Sequence, residues 1–428
     1  MASTSERDPC PTLRVATIHF ACLGQQQSVT FELRCYCVVG QMAKAKASSY
    51  LCGMELPSPA FVIEEDKLRR NLELVSDVAS RADVEIILAL KAFAFWPAFP
   101  LISEYLAGAT ASSLNEAKLI EAHFGHKPHV YAPVYRPHEF DELAGMAEHL
   151  TFNTLTELER YRDRWEAAGT SVGIRVNPQY SPVETDLYNP SNKFGRLGET
   201  LPNLPSKPPK GLKGIHVHTL CESDAAATAK LIERTRAQFG HYLEQVEWFN
   251  LGGGHLMTRE GYDLDLLIET LQSLRKRYPH LRVILEPGSA HVWRTGYLSA
   301  TVLDIVNNYG SATLMLDVSF TCHMPDTLEM PYRPVVRGAS ADEQPGYAYP
   351  YRLGGMSCLA GDYLDTYYFR QPARVGDTLI FEDMAHYTTV KSTMFNGVPH
   401  PDILMVDADG EITQRRSFDF ADYERRMG

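Results

Sequence analysis

From about residue 84 the chain sets up a rhythm in which short apolar, β-rich runs alternate with stretches whose apolar residues recur at helical spacing. The runs are Ile86–Ala92, Gly108–Ser113, His129–Val134, Leu150–Asn153, Ser171–Asn177, Gly211–Leu220, Val246–Gly254 and Arg282–Gly288. Between them, Asn115–Phe124, Thr156–Ala167, Ala225–Tyr242 and Asp263–Tyr278 read as amphipathic helices. Ser113-Leu114-Asn115-Glu116 fits a capping box at one helix start. Strand–helix alternation over so many units predicts a closed parallel βα barrel rather than an open sheet. Pro178 to Lys210 breaks the rhythm with a long connection rich in Pro and Asn, the kind of loop that often carries function. After Gly296 the texture changes. Leu298–Val306, Ala312–Val318 and Thr378–Phe381 read as strands, turns fall at Asn308–Gly310 and Val375–Asp377, and helical periodicity is scarce. The expected fold class is therefore α/β: a (β/α)8 barrel over residues 68–295 and a mainly β domain over 296–428. Residues 1–53 lack sustained periodicity and contain Gln25-Gln26-Gln27. They are expected to be a disordered extension, or a stretch upstream of a true start at Met42 or Met54.

Composition narrows the function classes. The chain is 44% hydrophobic and 22% charged, an ordinary globular balance. Its 53 acids against 41 Lys plus Arg give a formal net charge of -12, which disfavours nucleic acid as a partner and suits a cationic small substrate. No apolar run is long enough to span a bilayer. Eight cysteines show no zinc-site spacing and read as free thiols in a reducing compartment, so a cytoplasmic location is expected. The first residues make a poor signal peptide.

The chemistry-bearing residues cluster at the C-terminal ends of the candidate strands, where a βα barrel gathers its active site. Lys91 closes the first run among Leu90, Ala92, Phe93, Phe95 and Trp96. A lysine desolvated in this way has a lowered pKa and can form a Schiff base with an aldehyde; the bland alternative is a lysine that snorkels to water. Gly252-Gly253-Gly254 ends the seventh run and lets backbone N–H groups cradle a phosphate, although a plain strand–helix turn would look the same. Glu286 ends the eighth run. It reads as an anion for a pyridine nitrogen or as a barrel-mouth acid paired with an arginine. His216 and His218 alternate on one strand and share a face; His218 suits stacking on a cofactor ring, against the alternative of a hydrogen-bonded core histidine.

These pieces together resemble the fold-type III pyridoxal phosphate decarboxylases, the group of ornithine, diaminopimelate and carboxynorspermidine decarboxylases. Within it the match is to the carboxynorspermidine (carboxyspermidine) decarboxylases. It is carried by Ala89-Leu90-Lys91-Ala92-Phe93, Ala111-Ser112-Ser113-Leu114, His216-Val217-His218-Thr219-Leu220-Cys221-Glu222 and Asn250-Leu251-Gly252-Gly253-Gly254-His255. Further on it includes His323-Met324-Pro325-Asp326, Leu328-Glu329-Met330-Pro331-Tyr332-Arg333-Pro334, Gly354 to Asp362, Phe381 to Thr388 and Phe395-Asn396-Gly397. The resemblance runs from about Glu55 to the C-terminus. It implies an alanine racemase-like barrel, with residues 54–67 a leading strand packed with the β domain. Pyridoxal phosphate is the implied cofactor, attached to Lys91, with Glu286 at the pyridine nitrogen, His218 against the ring, and Gly253, Gly254 and Tyr387 at the phosphate. Cys358 is implied as the acid that returns a proton to the α-carbon, reaching into the site of the other subunit of a homodimer. Taken alone, Cys358 reads as a small buried hydrophobe. Asp326, Glu329 and Asp362 are implied to face the distal amines of a polyamine-like amino acid.

Ser289 departs from the pattern. After Glu286-Pro287-Gly288, relatives acting on diaminopimelate or ornithine carry an arginine and the carboxynorspermidine enzymes a glutamate. Losing the arginine disfavours a distal carboxylate on the substrate, and losing the glutamate removes one partner for an ammonium. The expected activity is decarboxylation of carboxynorspermidine or carboxyspermidine in polyamine biosynthesis. Rival readings are a diaminopimelate-type decarboxylase, an amino-acid racemase, a barrel without pyridoxal phosphate, and an inactive regulatory relative.

Overall fold

The computed structural model describes residues 56–329 and 332–428. The expectation for residues 1–53 lies outside the described residues. The first strand, β1 (Ala60–Glu64), belongs to neither run of alternation. After it, helix Glu65–Ala82 buries Leu68, Leu72, Val75 and Val78, one stripe at helical spacing, against the barrel.

The barrel follows as β2 (Glu85–Ile86), β3 (Leu88–Ala89), β4 (Ala109–Ala111), β5 (His129–Tyr131), β6 (His149–Phe152), β7 (Ser171–Arg175), β8 (Leu212–His216), β9 (Trp248–Asn250) and β10 (Arg282–Leu285). Neighbours pair in parallel from β3 through to β10, and β10 pairs with β2. The predicted run Ile86–Ala92 is two short segments, β2 and β3, that together act as one stave. The eight predicted runs are thus eight staves, most of them shorter than their apolar runs because the chain leaves the sheet to form the mouth.

Trp248 fills the floor of the barrel. An added Cβ on Gly173 or Gly214 would lie 2.2 Å or 2.0 Å from its ring, so those strands approach the indole only because they lack side chains. The helices match the predicted ones closely, with Leu114–His123, Ala225–Leu243 and Leu264–Arg277. Thr156–Ala167 instead divides at Tyr161 into Leu155–Arg160 and Arg162–Ala168. The capping box forms by half: Ser113 Oγ accepts from the Glu116 N–H at 3.2 Å, while the Glu116 carboxylate accepts from Ser112 rather than Ser113.

The remaining strands are β11 (Gly296–Asn308), β12 (Ser311–Leu316), β13 (Ala339–Ser340), β14 (Tyr349–Gly354), β15 (Tyr363–Phe369), β16 (Thr378–Glu382), β17 (Asp402–Val406) and β18 (Ile412–Arg416). They form a mixed sheet in the order β13-β15-β14-β12-β11-β1-β17-β18, with β16 also on β11. β1 lies antiparallel to β11 and parallel to β17, so the segment that leads into the barrel is a central strand of the second sheet. Phe61, Leu298, Leu316, Phe320, Leu353 and Phe381 sit in that sheet's own core. Among the described residues no helix is long and apolar enough to cross a membrane.

Candidate active site

The C-terminal ends of the staves open into a cavity of about 460 Å³. Lys91 lies two residues beyond β3, His218 two beyond β8, Gly252 two beyond β9, and Glu286 directly after β10. Lys91, His218, Gly253, Gly254, Glu286, Ser289 and Tyr387 all line this cavity.

Lys91 is open to the cavity but surrounded by barrel wall, and burial lowers its pKa, with nearby Arg175 acting in the same direction. Its Nζ stands 3.3 Å from His218 Nε2. His218 Nδ1 accepts a hydrogen bond from the Gly253 N–H at 2.8 Å. Burial, Lys91 and Arg175 push the imidazole well below its ordinary pKa, so it is neutral. A neutral ring that accepts at Nδ1 carries its proton on Nε2. The atom facing it, Lys91 Nζ, is then placed as the acceptor of that contact. Geometry and desolvation thus give the same nucleophilic lysine.

Glu286 is buried, and burial alone would raise its pKa. His216 Nε2 at 3.4 Å and Asn250 Nδ2 at 2.6 Å outweigh that and hold it down to about 2. The carboxylate is an anion at any ordinary pH. His216 is stacked against Tyr131, with ring centroids 5.2 Å apart, and Arg175 lies over the same phenol ring, 4.8 Å from its centroid. Arg175 also donates to the His218 carbonyl at 2.8 Å. His216, Asn250 and Arg175 were not singled out as site residues in the sequence. Their signal was present, since each ends or nearly ends a stave on the mouth side, but their partners come from strands far away in the chain.

The glycine turn leaves no room for side chains. A Cβ on Gly252 would lie 2.4 Å from the Val217 carbonyl, one on Gly253 2.6 Å from the Glu286 carbonyl, and one on Gly254 2.2 Å from the Leu220 carbonyl. Tyr387 arrives from the β domain, held by its N–H to the Ala92 carbonyl at 2.7 Å, and its backbone φ is 51°. Burial raises its phenol, with the Ser289 hydroxyl acting against that shift.

The other predicted residues stand outside this wall. Asp326 and Glu329 are both bound by the Lys391 ammonium, Glu329 at 2.7 Å, and Tyr188 Oη donates to Asp326 at 3.3 Å. Asp362 is buried, and its two oxygens accept the Thr321 and Ser357 N–H groups, each at 3.0 Å. Cys358 is exposed, which corrects the buried-hydrophobe alternative; its N–H donates to Asn396 Oδ1 at 2.8 Å. Met356, Leu359 and Phe395 on the same two loops are exposed too. The long connection does reach the site: Leu187, Tyr188, Asn189, Pro190, Arg196 and Leu197 line the cavity.

Among the described residues, one His/carboxylate group has a metal-like donor set: His129, Glu148 and His149, at the floor of the barrel. The Arg282 guanidinium bonds Glu148 at 3.0 Å and His149 at 3.4 Å, so a cation already holds that place. At the mouth, a lysine of lowered pKa, a fixed carboxylate anion and a backbone cradle without side chains fit pyridoxal phosphate.

The comparisons with known proteins agree. The family model of the pyridoxal-dependent decarboxylases, described by its C-terminal sheet domain, matches residues 35–385. The chain belongs to this family. The decarboxylase is 50% identical, over 87% of its length and 96% of the relative, to carboxyaminopropylagmatine decarboxylase of Synechocystis sp.. It is 35% identical to a carboxynorspermidine/carboxyspermidine decarboxylase of Campylobacter jejuni, over 87% of this chain and 99% of that one. The solved structure of carboxynorspermidine decarboxylase from Campylobacter jejuni, complexed with norspermidine, matches with a TM-score of 0.81 at 34% identity, covering 87% of this chain and all of that one.

Proposed function

We propose that this decarboxylase uses pyridoxal phosphate, held at Lys91, to remove the α-carboxylate from a carboxyaminopropyl polyamine, with carboxyaminopropylagmatine as its leading substrate. The observation that carries the reaction is the Lys91 amine, its pKa lowered by burial, facing a cavity that also contains the fixed Glu286 anion. The substrate class rests on the 50% identity to a carboxyaminopropylagmatine decarboxylase. Carboxynorspermidine and carboxyspermidine share the same amino-acid head. They form the second reading, favoured by the relatives at 35% and 34% identity.

Lys91 would hold the cofactor covalently and Glu286 would keep its pyridine nitrogen protonated. Gly253, Gly254 and Tyr387 would bind its phosphate, and His218 would offer the flat face against which its ring packs. Bound there, the cofactor supplies an electron sink for the bond to the departing carboxylate. Lys91 would be the residue whose amine makes way for the substrate amine. Burial lowers its pKa and favours the free amine. Cys358 is the proton donor to the α-carbon. Its exposure, among exposed Met356, Leu359 and Phe395, favours a homodimer in which it enters the other subunit's site. Asp362, with both oxygens on main-chain N–H groups, acts by fixing the Ser357–Cys358 loop rather than by touching substrate. Asp326 and Glu329, already sharing Lys391, leave one net negative charge for a distal ammonium or guanidinium.

The test is carbon dioxide release by the pyridoxal phosphate-loaded enzyme from carboxyaminopropylagmatine, carboxynorspermidine, carboxyspermidine, diaminopimelate and ornithine. Release mainly from carboxyaminopropylagmatine is expected. Release mainly from carboxynorspermidine or carboxyspermidine would favour the second reading, and equal or greater release from diaminopimelate would overturn both.

A further inference from the structure

The cavity wall contains two carboxylates, Glu286 and Glu222. Glu286 is committed to His216 and Asn250. The carboxylate of Glu222 has no ion-pair or hydrogen-bond partner among the described residues; only its main-chain carbonyl is used, accepting from Arg259 at 3.1 Å. Two further acids near the mouth, Asp326 and Glu329, are tied to Lys391 and do not line the cavity. Among the described residues, Glu222 is therefore the one wall carboxylate whose charge is unanswered.

Its position is fixed rather than casual. Glu222 has a backbone φ of 44°, a left-handed conformation uncommon for a residue with a side chain. The conformation is imposed by neighbours on both sides. Ser223 donates its N–H to the Gly254 carbonyl at 2.8 Å and its hydroxyl to the Cys221 carbonyl at 3.0 Å. Gly254 packs so tightly on Leu220 that no side chain fits between them. The loop that carries Glu222 is thus pinned to the same glycine turn that would hold the cofactor phosphate. Its negative charge also bears on the Cys221 thiol, which burial and Glu222 push up to about 11, and on the phenols of Tyr332 and Tyr387.

We propose that Glu222 binds the inner secondary ammonium of the substrate and so selects carboxyaminopropyl amines. This inference rests on the function proposed above. In such substrates a charged nitrogen interrupts the chain two methylene groups from the α-carbon. Ornithine and diaminopimelate have carbon there. An unpaired carboxylate in the cavity wall answers that charge. The outer acids, half neutralised by Lys391, take the end of the chain. A solvated surface acid, the plain alternative, would bind nothing and be indifferent to substitution.

Two measurements on the pyridoxal phosphate-loaded enzyme test it. The first compares the parent with Glu222→Gln and Glu222→Asp on carboxyaminopropylagmatine and carboxyspermidine. For Glu222→Gln, KM should rise about 10- to 100-fold, the range of a charge-assisted contact. Its kcat should stay within about threefold and its cofactor absorbance should not change, and Glu222→Asp should recover part of the loss. The second is calorimetric binding of spermidine and of 1,8-diaminooctane, which has the same length and the same two end charges but no inner nitrogen. The parent should prefer spermidine, and Glu222→Gln should erase the preference. An active parent whose Glu222→Gln variant keeps its KM and its preference for spermidine would overturn the role of Glu222 while leaving the proposed function standing. A parent inactive on every carboxylated polyamine would sink the functional reading and this inference with it.

Discussion

A lysine whose pKa is lowered by its surroundings, and whose neighbour donates to it, needs no separate base. The His218 tautomer, set by the Gly253 N–H, makes Lys91 the acceptor of that contact. Glu286 shows the opposite tuning: buried, yet held as an anion by His216 and Asn250. Because its pKa is near 2, it contributes no acid limb to a pH–rate profile above about pH 4. Glu286→Gln should keep the fold and lower kcat on the order of 100-fold, as loss of a preorganised charge does; steady-state rates decide this. Cys358→Ala should slow turnover or misplace the returned proton while cofactor absorbance stays the same, and activity equal to the parent would move the donor elsewhere. Lys91, His218, Glu286 and the glycines were legible in sequence because each stands next to an apolar run and has an unusual residue type for that place. His216, Asn250 and Glu222 were not, because what defines them is a partner, or the lack of one, contributed by another stave.

At the level of elements, the barrel depends on glycine where it depends least on side chains. Gly214→Ala would put a Cβ 2.0 Å from the Trp248 ring, so the indole must move or the stave must bend. A loss of about 1–3 kcal/mol is expected, read from urea unfolding. The floor also sets a pH limit. His149 is pushed down to about 2 by burial and by His129 and Arg282, with Glu286 acting weakly the other way. Burial likewise holds His255, His291 and His323 at about 4. In the unfolded chain each returns to about 6.5, so below that pH the unfolded state binds more protons. Stability should be complete above about pH 6.5 and fall as pH drops through 6 to 5, before ordinary carboxylates titrate. An unfolding midpoint unchanged between pH 7.5 and pH 5 would contradict this. The alternation of strands and helices was legible because period and length agree. The stave ends were not, since the apolar runs continue past the sheet to line the mouth. Only β1, β11, β12 and β16 were anticipated in the second sheet, where strands such as β18 are wholly exposed and leave no alternating trace.

Across the whole molecule, a strand and a tyrosine are among the links between the two halves. β1 lies in the second sheet and leads directly into the first barrel helix, and Tyr387 returns from that sheet to the barrel cavity. If Cys358 completes the site of another subunit, neither half-site works alone. Equal amounts of Lys91→Ala and Cys358→Ala subunits, each inactive or slow, should regain about a quarter of parental activity after exchange, because half the dimers then hold one intact site. No recovery, with exchange verified by mass, would argue against shared sites. The central claim is that this barrel mouth carries pyridoxal phosphate on Lys91. The most direct measurement is borohydride reduction of the loaded enzyme, followed by proteolysis and mass spectrometry of the labelled peptide. The account predicts a single pyridoxyl adduct on Lys91, absent from Lys91→Ala together with the visible chromophore. An adduct on another lysine, or a chromophore that survives in Lys91→Ala, would contradict it.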